Sequence, residues 1–241
     1  MNGGPIVSII IRCKDNWQLT KHCIESIDVN TNPELYRLII VDDGSIDKTK
    51  ENIKNMPKSL YHEQILISHE KSLGAVSATN TGLEYYLKNP TPYVLILDND
   101  TEILKGNTTW LNDMMKYFEE DESVGIVGAC SNNVIGLQNV SHITEKKLPK
   151  YLISFCMMMS LKCVKKIGLW DERFNPGNCE DLDITLSARR KGFILKVAKD
   201  VFIEHHCHQT FNSMGLPNLL QTNERKLLEK WGEHLYYDLR K

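Results

Sequence analysis

The chain has 241 residues, 41% of them hydrophobic and 25% charged, with a formal net charge of −2. This is an ordinary globular composition, long enough to bury a full core as one α/β domain or two small ones. Near-neutral charge without a basic run excludes a nucleic-acid partner held by electrostatics, and no apolar run reaches membrane-spanning length.

Residues 6–11 form an unbroken apolar strand, and 17–29 place Leu19, Cys23, Ile24 and Ile27 on one helical face. After the breaker Asn30-Thr31-Asn32-Pro33, residues 36–41 are a second buried strand ending in Asp42-Asp43-Gly44-Ser45. A helix over 48–56, a strand over 64–67 and a helix from Gly74 to about Tyr86 follow. Residues 93–97 are again apolar throughout and run into Asp98-Asn99-Asp100. Strand-helix alternation of this kind predicts a doubly wound, mostly parallel sheet, because each parallel return needs a right-handed crossover. In such sheets ligands bind beyond the carboxyl ends of the strands, where Asp42, Asp43, Asp98 and Asp100 stand. Paired carboxylates there suit a hard divalent cation that shares its other positions with substrate phosphates.

The second half predicts a helix over 110–119, a short strand over 124–127 and a long loop over 131–150. Loops of that length in a compact domain are usually functional, so this one, with Ser131-Asn132-Asn133 and Gln138, reads as a substrate-covering segment. A strand over 152–160, a short basic helix over 162–167 and the turn Asn175-Pro176-Gly177 lead to a helix beginning at Asn178 or Cys179. Its first turn holds Glu180, Asp181 and Asp183; for Asp183 an offset of the helix dipole is expected. Strands over 194–197 and 201–203 precede Glu204-His205-His206-Cys207-His208, and 219–231 form a closing amphipathic helix. The seven cysteines are odd in number and lack any C-x-x-C pair, the usage of reduced core thiols in a cytoplasmic protein. No basic region precedes the first apolar segment, so no leader is expected.

These blocks, in this order, resemble the family-2 inverting glycosyltransferases. The matching segments are Val41-Asp42-Asp43-Gly44-Ser45-Ile46-Asp47, then Gly74, Asn80 and Gly82, then Leu97-Asp98-Asn99-Asp100 as the D-x-D motif. Ile167 to Phe174, Glu180-Asp181-Leu182-Asp183 and the histidine-bearing segment from Phe202 complete the series. The resemblance implies a single GT-A-type α/β domain with a mostly parallel sheet flanked by helices, a nucleotide-sugar-binding half over 1–104 and an acceptor-binding half over 105–241. It further implies a divalent metal, Mn²⁺ or Mg²⁺, held by Asp100 and His205, with Asp98 nearer the ribose. Arg12, Asp42, Asp43, Lys71 and Asn80 are expected to join Asp98 around the donor. Asp181 would be the catalytic base, with Glu180, Gln138 and Trp170 on the acceptor side. The expected donor is a nucleotide-diphosphate sugar, a UDP-sugar favoured, and the expected acceptor a glycan, lipid-linked or protein hydroxyl.

The chain also departs from the family pattern. Arg12 stands where proline is common, Lys71-Ser72 where asparagine is usual, and Ser187 where an arginine is often found. The Q-x-x-R-W signature of processive relatives is absent, so transfer of a single sugar is expected. The alternatives are a non-catalytic sugar-nucleotide-binding domain and a nucleotidyltransferase on a similar sheet. His205-His206-Cys207-His208 invites a zinc-site reading, but structural zinc sites usually take their ligands from two spaced pairs, and no C-x-x-C accompanies it.

Overall fold

A computed structural model describes residues 4–56, 63–206 and 218–232. Its central sheet has seven strands: β1 (Val7–Cys13), β2 (Tyr36–Asp42), β3 (Gln64–Ser68), β4 (Tyr93–Asp98), β6 (Val124–Cys130), β7 (Cys156–Ser160) and β8 (Ile194–Phe202). Their order is β3-β2-β1-β4-β7-β6-β8, and only β7 runs antiparallel to its neighbours. A small ribbon pairs β5 (Thr101–Glu102) antiparallel with β9 (Glu204–His205).

The unbroken apolar strands follow from burial on both faces. In β1, Ile9 and Ile11 point into one core with Ile24 and Ile27 of α1 (Trp17–Asn30) and Trp110 and Met114 of α4 (Trp110–Glu120). Ile10 points into a second core with Val76 and Leu83 of α3 (Ala75–Lys88). Each such side chain contributes roughly 1.5–3 kcal/mol on burial. The three methionines of β7 divide the same way, Met158 on the first face and Met157 and Met159 on the second. Gly82 lets α3 approach β1 closely, because a Cβ there would meet Ile10 Cγ2 at 2.6 Å. The six described cysteines are buried. Burial raises the thiol pKa of Cys13, Cys23 and Cys156, which keeps them neutral core atoms.

The remaining helices are α2 (Thr49–Lys54), α5 (Leu161–Ile167), α6 (Glu180–Arg190) and α7 (Leu219–Trp231). Three local expectations are corrected. The strand expected over 152–160 is only Cys156–Ser160. The two strands expected over 194–203 are one, β8, whose pairing with β6 shifts register between Ala129 and Cys130. The polar residues Lys199 and Asp200 mark that irregularity rather than a turn. Finally, Asp183 does more than offset a dipole. It is buried, accepts from Trp231 Nε1 at 2.7 Å and pairs with Lys230 at 2.8 Å, which fastens α7 to α6.

Asn223 of α7 makes the other fastening. Fully buried, it donates through Nδ2 to the carbonyls of Phe174, Gly177 and Asn178 at 2.9, 2.7 and 3.0 Å. Those carbonyls belong to the turn that enters α6. Asn223→Ala would leave buried acceptors without a donor, so we expect a loss of about 1–3 kcal/mol in chemical denaturation. An unchanged denaturation midpoint would show that water replaces the amide without cost.

Candidate active site

Parallel pairing sets the carboxyl ends of three strands side by side. Arg12 of β1 is in register with Val41 of β2 and with Asp98 of β4, and Cys13 is in register with Asp42. Strand order reverses between β1 and β4, which opens the crevice where open α/β sheets bind ligands. Antiparallel β7 starts at this same edge, because Cys156 pairs with Leu97. The residues just before β7 therefore face Asp98.

Asp98, Asp100 and His205 converge so that one ligand atom from each lies within 4.8 Å of the others. His205 Nε2 is 3.3 Å from Asp100 Oδ1 and 4.0 Å from Asp98 Oδ2. The ribbon brings His205 there, by pairing it with Thr101, the residue after Asp100. Its ring stacks on Phe155 at 5.1 Å, and Nδ1 lies 3.1 Å from the Asn133 carbonyl. With Nδ1–H donating to that carbonyl, Nε2 is directed at the acids. Burial opposes the imidazolium, but the hydrogen bond to Asp100 and the charges of Asp98 and Asp100 outweigh it and raise the His205 pKa.

Arg12 joins this group to the acids of α6. Its guanidinium donates to Asp98 Oδ1 at 2.7 Å, Thr79 Oγ1 at 2.8 Å and Ser154 Oγ at 3.4 Å. Ser154 in turn donates its backbone N–H to Asp181 Oδ1 at 3.3 Å. Burial works against the charge on Arg12, yet Asp98, Glu180 and Asp181 together hold its pKa above the ordinary value. Burial is also the first cause acting on the two α6 acids, and it raises both. Glu180 is pushed up further by Asp181, and its Oε2 is buried with no hydrogen-bond partner. A carboxyl with a raised pKa beside a fixed cation can exchange a proton near neutral pH.

At the end of β2, Asp42 is fully buried; Oδ1 accepts from Ser45 N at 3.2 Å while Oδ2 has no partner. Asp43 is occupied, accepting from His69 Nδ1, Ser72 Oγ, Leu73 N and Gly74 N at 2.6–3.0 Å. Burial alone would raise its pKa; these hydrogen bonds lower it. Asp43 thus shapes the loop that enters α3, where Gly74 takes a φ of 99°. Lys71, on the same loop, is exposed.

Three expected site residues turn inward. Asn80 donates to the Trp170 carbonyl at 2.9 Å and to Glu172 Oε1 at 3.2 Å, and accepts from Trp170 N at 2.8 Å. Trp170 itself is buried. Gln138, 2% exposed, bonds the backbone of Ala129 and Ile153. Its amide pins the 131–150 loop to the sheet instead of facing the crevice, and Gly128 leaves the space it fills. Conversely, Ser154 and Phe155 carry no expectation from the sequence, yet they orient Asp181 and His205, while Asn132 and Asn133, expected in a substrate-covering loop, hold the backbone of His205. A serine inside the apolar run before β7 was the one sequence signal for the first of these.

A sheet of this order, with an acid group at its switch point and a histidine delivered from a late ribbon, defines a GT-A-type α/β domain. The family model for glycosyl transferase family 2 matches residues 8–163, and the chain belongs to that family. Among curated proteins it is 26% identical over 138 residues to the bifunctional glycosyltransferase pgtA of Dictyostelium discoideum, covering 53% of this chain and 18% of that protein. Among solved structures, the mannosyltransferase PcManGT from Pyrobaculum calidifontis in complex with GDP-Man and Mn²⁺ superposes with a TM-score of 0.69 at 16% identity, over 87% of this chain and 59% of that one. GalNAc-T7 with UDP, GalNAc and Mn²⁺ superposes with a TM-score of 0.63 at 14% identity, over 85% of this chain and 44% of that one. The chain spans 18%, 26% and 38% of the length of three curated relatives it matches. No described helix is long and apolar enough to cross a membrane.

Proposed function

We propose that this chain transfers one sugar from a nucleotide-diphosphate sugar to an acceptor hydroxyl, with inversion at the anomeric carbon. The observation that carries this reading is the continuity from Asp98, Asp100 and His205 through Arg12 to Asp181. Two carboxylates and one oriented imidazole suit Mn²⁺ or Mg²⁺, so Asp98, Asp100 and His205 would hold it. The ion would supply charge neutralisation to the leaving diphosphate. Asp100 and His205 are the principal ligands in this reading. Asp98, tied to Arg12, would be the nearer of the acids to the donor's ribose.

The orphan oxygen of Asp42 suits a nucleoside N–H or hydroxyl, since a buried carboxylate oxygen without a donor is costly. Arg12 and Lys71 are the cations assigned to the donor in this reading. Asp43 and Asn80 act indirectly, by holding the loop that enters α3 and the 170–172 segment. Across the crevice Asp181 takes the proton from the acceptor hydroxyl. The acceptor oxygen bonds to the anomeric carbon as the bond to the phosphate oxygen breaks, and the nucleoside diphosphate leaves with that electron pair. Glu180 orients the acceptor; Gln138 supports its side through the backbone it holds, and Trp170 by packing in the second core.

A uridine donor is favoured by the motif likeness of the 41–47 turn, and both GDP-Man and UDP occur in structures of this fold. A panel of nucleotide sugars in thermal melts, with and without Mn²⁺, tests the reading. UDP-sugars should raise the melting temperature only with the metal, since a ligand at a hundred times its Kd adds about 2.7 kcal/mol. Stabilisation by a GDP-sugar instead would change the base and keep the reaction. Binding of no nucleotide sugar under any metal would overturn it.

A further inference from the structure

A second group of ligand-type side chains lies beyond the proposed donor metal. Glu102 Oε2 is 3.0 Å from His22 Nε2 and 3.4 Å from His206 Nε2. One ligand atom from each residue lies within 4.8 Å of the others, and the two imidazole centroids are 6.4 Å apart. The three come from separate places: His22 from α1, Glu102 from β5, and His206 from just after β9. Both rings present the same nitrogen to the same carboxylate oxygen. The ribbon explains why this group neighbours the first. Successive residues of an extended chain face opposite ways, and His206 N–H still donates to the Asp100 carbonyl at 2.9 Å. The backbone that offers His205 to Asp100 therefore offers His206 to Glu102.

As ion pairs these contacts would need a proton on each Nε2 and would add at most about 1 kcal/mol each, since the histidine side chains are 56% and 36% exposed. A metal replaces those protons and takes all three groups at once. A tetrahedral ion with bonds of about 2.0–2.2 Å sets its ligand atoms about 3.3–3.6 Å apart, and Glu102 stands 3.0 and 3.4 Å from the two imidazole nitrogens. Two imidazoles and one carboxylate favour Zn²⁺ over the harder Mn²⁺ or Mg²⁺, with solvent filling the fourth position.

We propose that His22, Glu102 and His206 form a Zn²⁺ site that cross-links α1, β5 and the chain following β9. The ion would clip together segments far apart in sequence and so stabilise the native fold. It would also hold the ribbon that carries His205, a consequence that rests on the reading of Asp98, Asp100 and His205 as the donor metal site.

The test uses the full-length chain, stripped with a chelator and equilibrated with Zn²⁺ alone, in an Asp100→Asn background that weakens the first group. This variant should retain one Zn²⁺ per chain after gel filtration and melt at a higher temperature with Zn²⁺ than without. Adding His22→Ala, or separately His206→Ala, should weaken Zn²⁺ binding by more than about tenfold and abolish the Zn²⁺-dependent melting shift. The metal-free melting temperature should stay nearly constant, which separates ligand loss from misfolding. Failure to retain Zn²⁺ in the Asp100→Asn chain overturns the proposal. So does equal retention after His22→Ala, since binding through the 205–208 histidines alone would survive that change. Neither outcome depends on whether a nucleotide sugar binds.

Discussion

Asp181→Asn should lower the rate of sugar transfer by about 10²–10⁴-fold, the range of general base catalysis, while donor affinity measured with Mn²⁺ stays essentially unchanged. Asparagine keeps the side chain's volume, and its carbonyl oxygen can still accept the Ser154 N–H that orients Asp181. Only the proton acceptor is lost. The pH profile offers a second readout. Burial raises the Asp181 pKa, and a base works only when deprotonated, so kcat/KM of the wild type should fall as pH drops through a midpoint above the ordinary aspartate range. In Asp181→Asn that acid limb should vanish from the residual rate. Equal losses in kcat and donor affinity would instead assign Asp181 a binding or structural part.

Asp100→Asn should remove the metal dependence of donor binding and cost at least about 10²-fold in kcat/KM, because metal neutralisation of a leaving group supplies several kcal/mol. Its carboxylate has His205 as its one ion-pair partner among the described residues, so the fold should tolerate the neutral isostere. Calorimetric titration of Mn²⁺ into the protein, with and without a nucleotide sugar, reads the effect directly. A Mn²⁺-dependent heat of donor binding that persists at wild-type strength would remove Asp100 from the metal site. Asp98→Asn is the informative contrast. It also breaks the 2.7 Å bond from Arg12, so it should perturb the Asp181 acid limb as well as metal binding, whereas Asp100→Asn should leave that limb in place.

Much of the crevice at the strand ends was legible because it is local. Buried parallel strands read as apolar runs, and the acids at their carboxyl ends follow within one or two residues, as Asp42 follows Val41 and Asp98 follows Leu97. The turn into α6 was equally plain, with Glu180 and Asp181 in its first helical turn. Burial and partner choice were not legible, because they depend on residues distant in sequence. Asp183 looks like a dipole-offsetting acid until Lys230 and Trp231 arrive from α7. Gln138 looks like a loop residue free to meet an acceptor until the sheet presents the backbone of Ala129 and Ile153.

The sequence by itself determined the α/β alternation, the family and the acids at the crevice, since periodicity and strand-end motifs are properties of short segments. The pairing of His205 with Asp100 was implied by the family resemblance, but tertiary structure alone decided that Arg12 would tie Asp98 to Ser154 and the α6 acids. It also brought His22 to Glu102 and His206. Each of these depends on strand register or on the ribbon that returns the late chain to β5, and the hydrogen bonds of Arg12 join residues 86 and 142 positions apart. No local pattern encodes such pairings; they exist only once the two cores have packed and set the strands abreast.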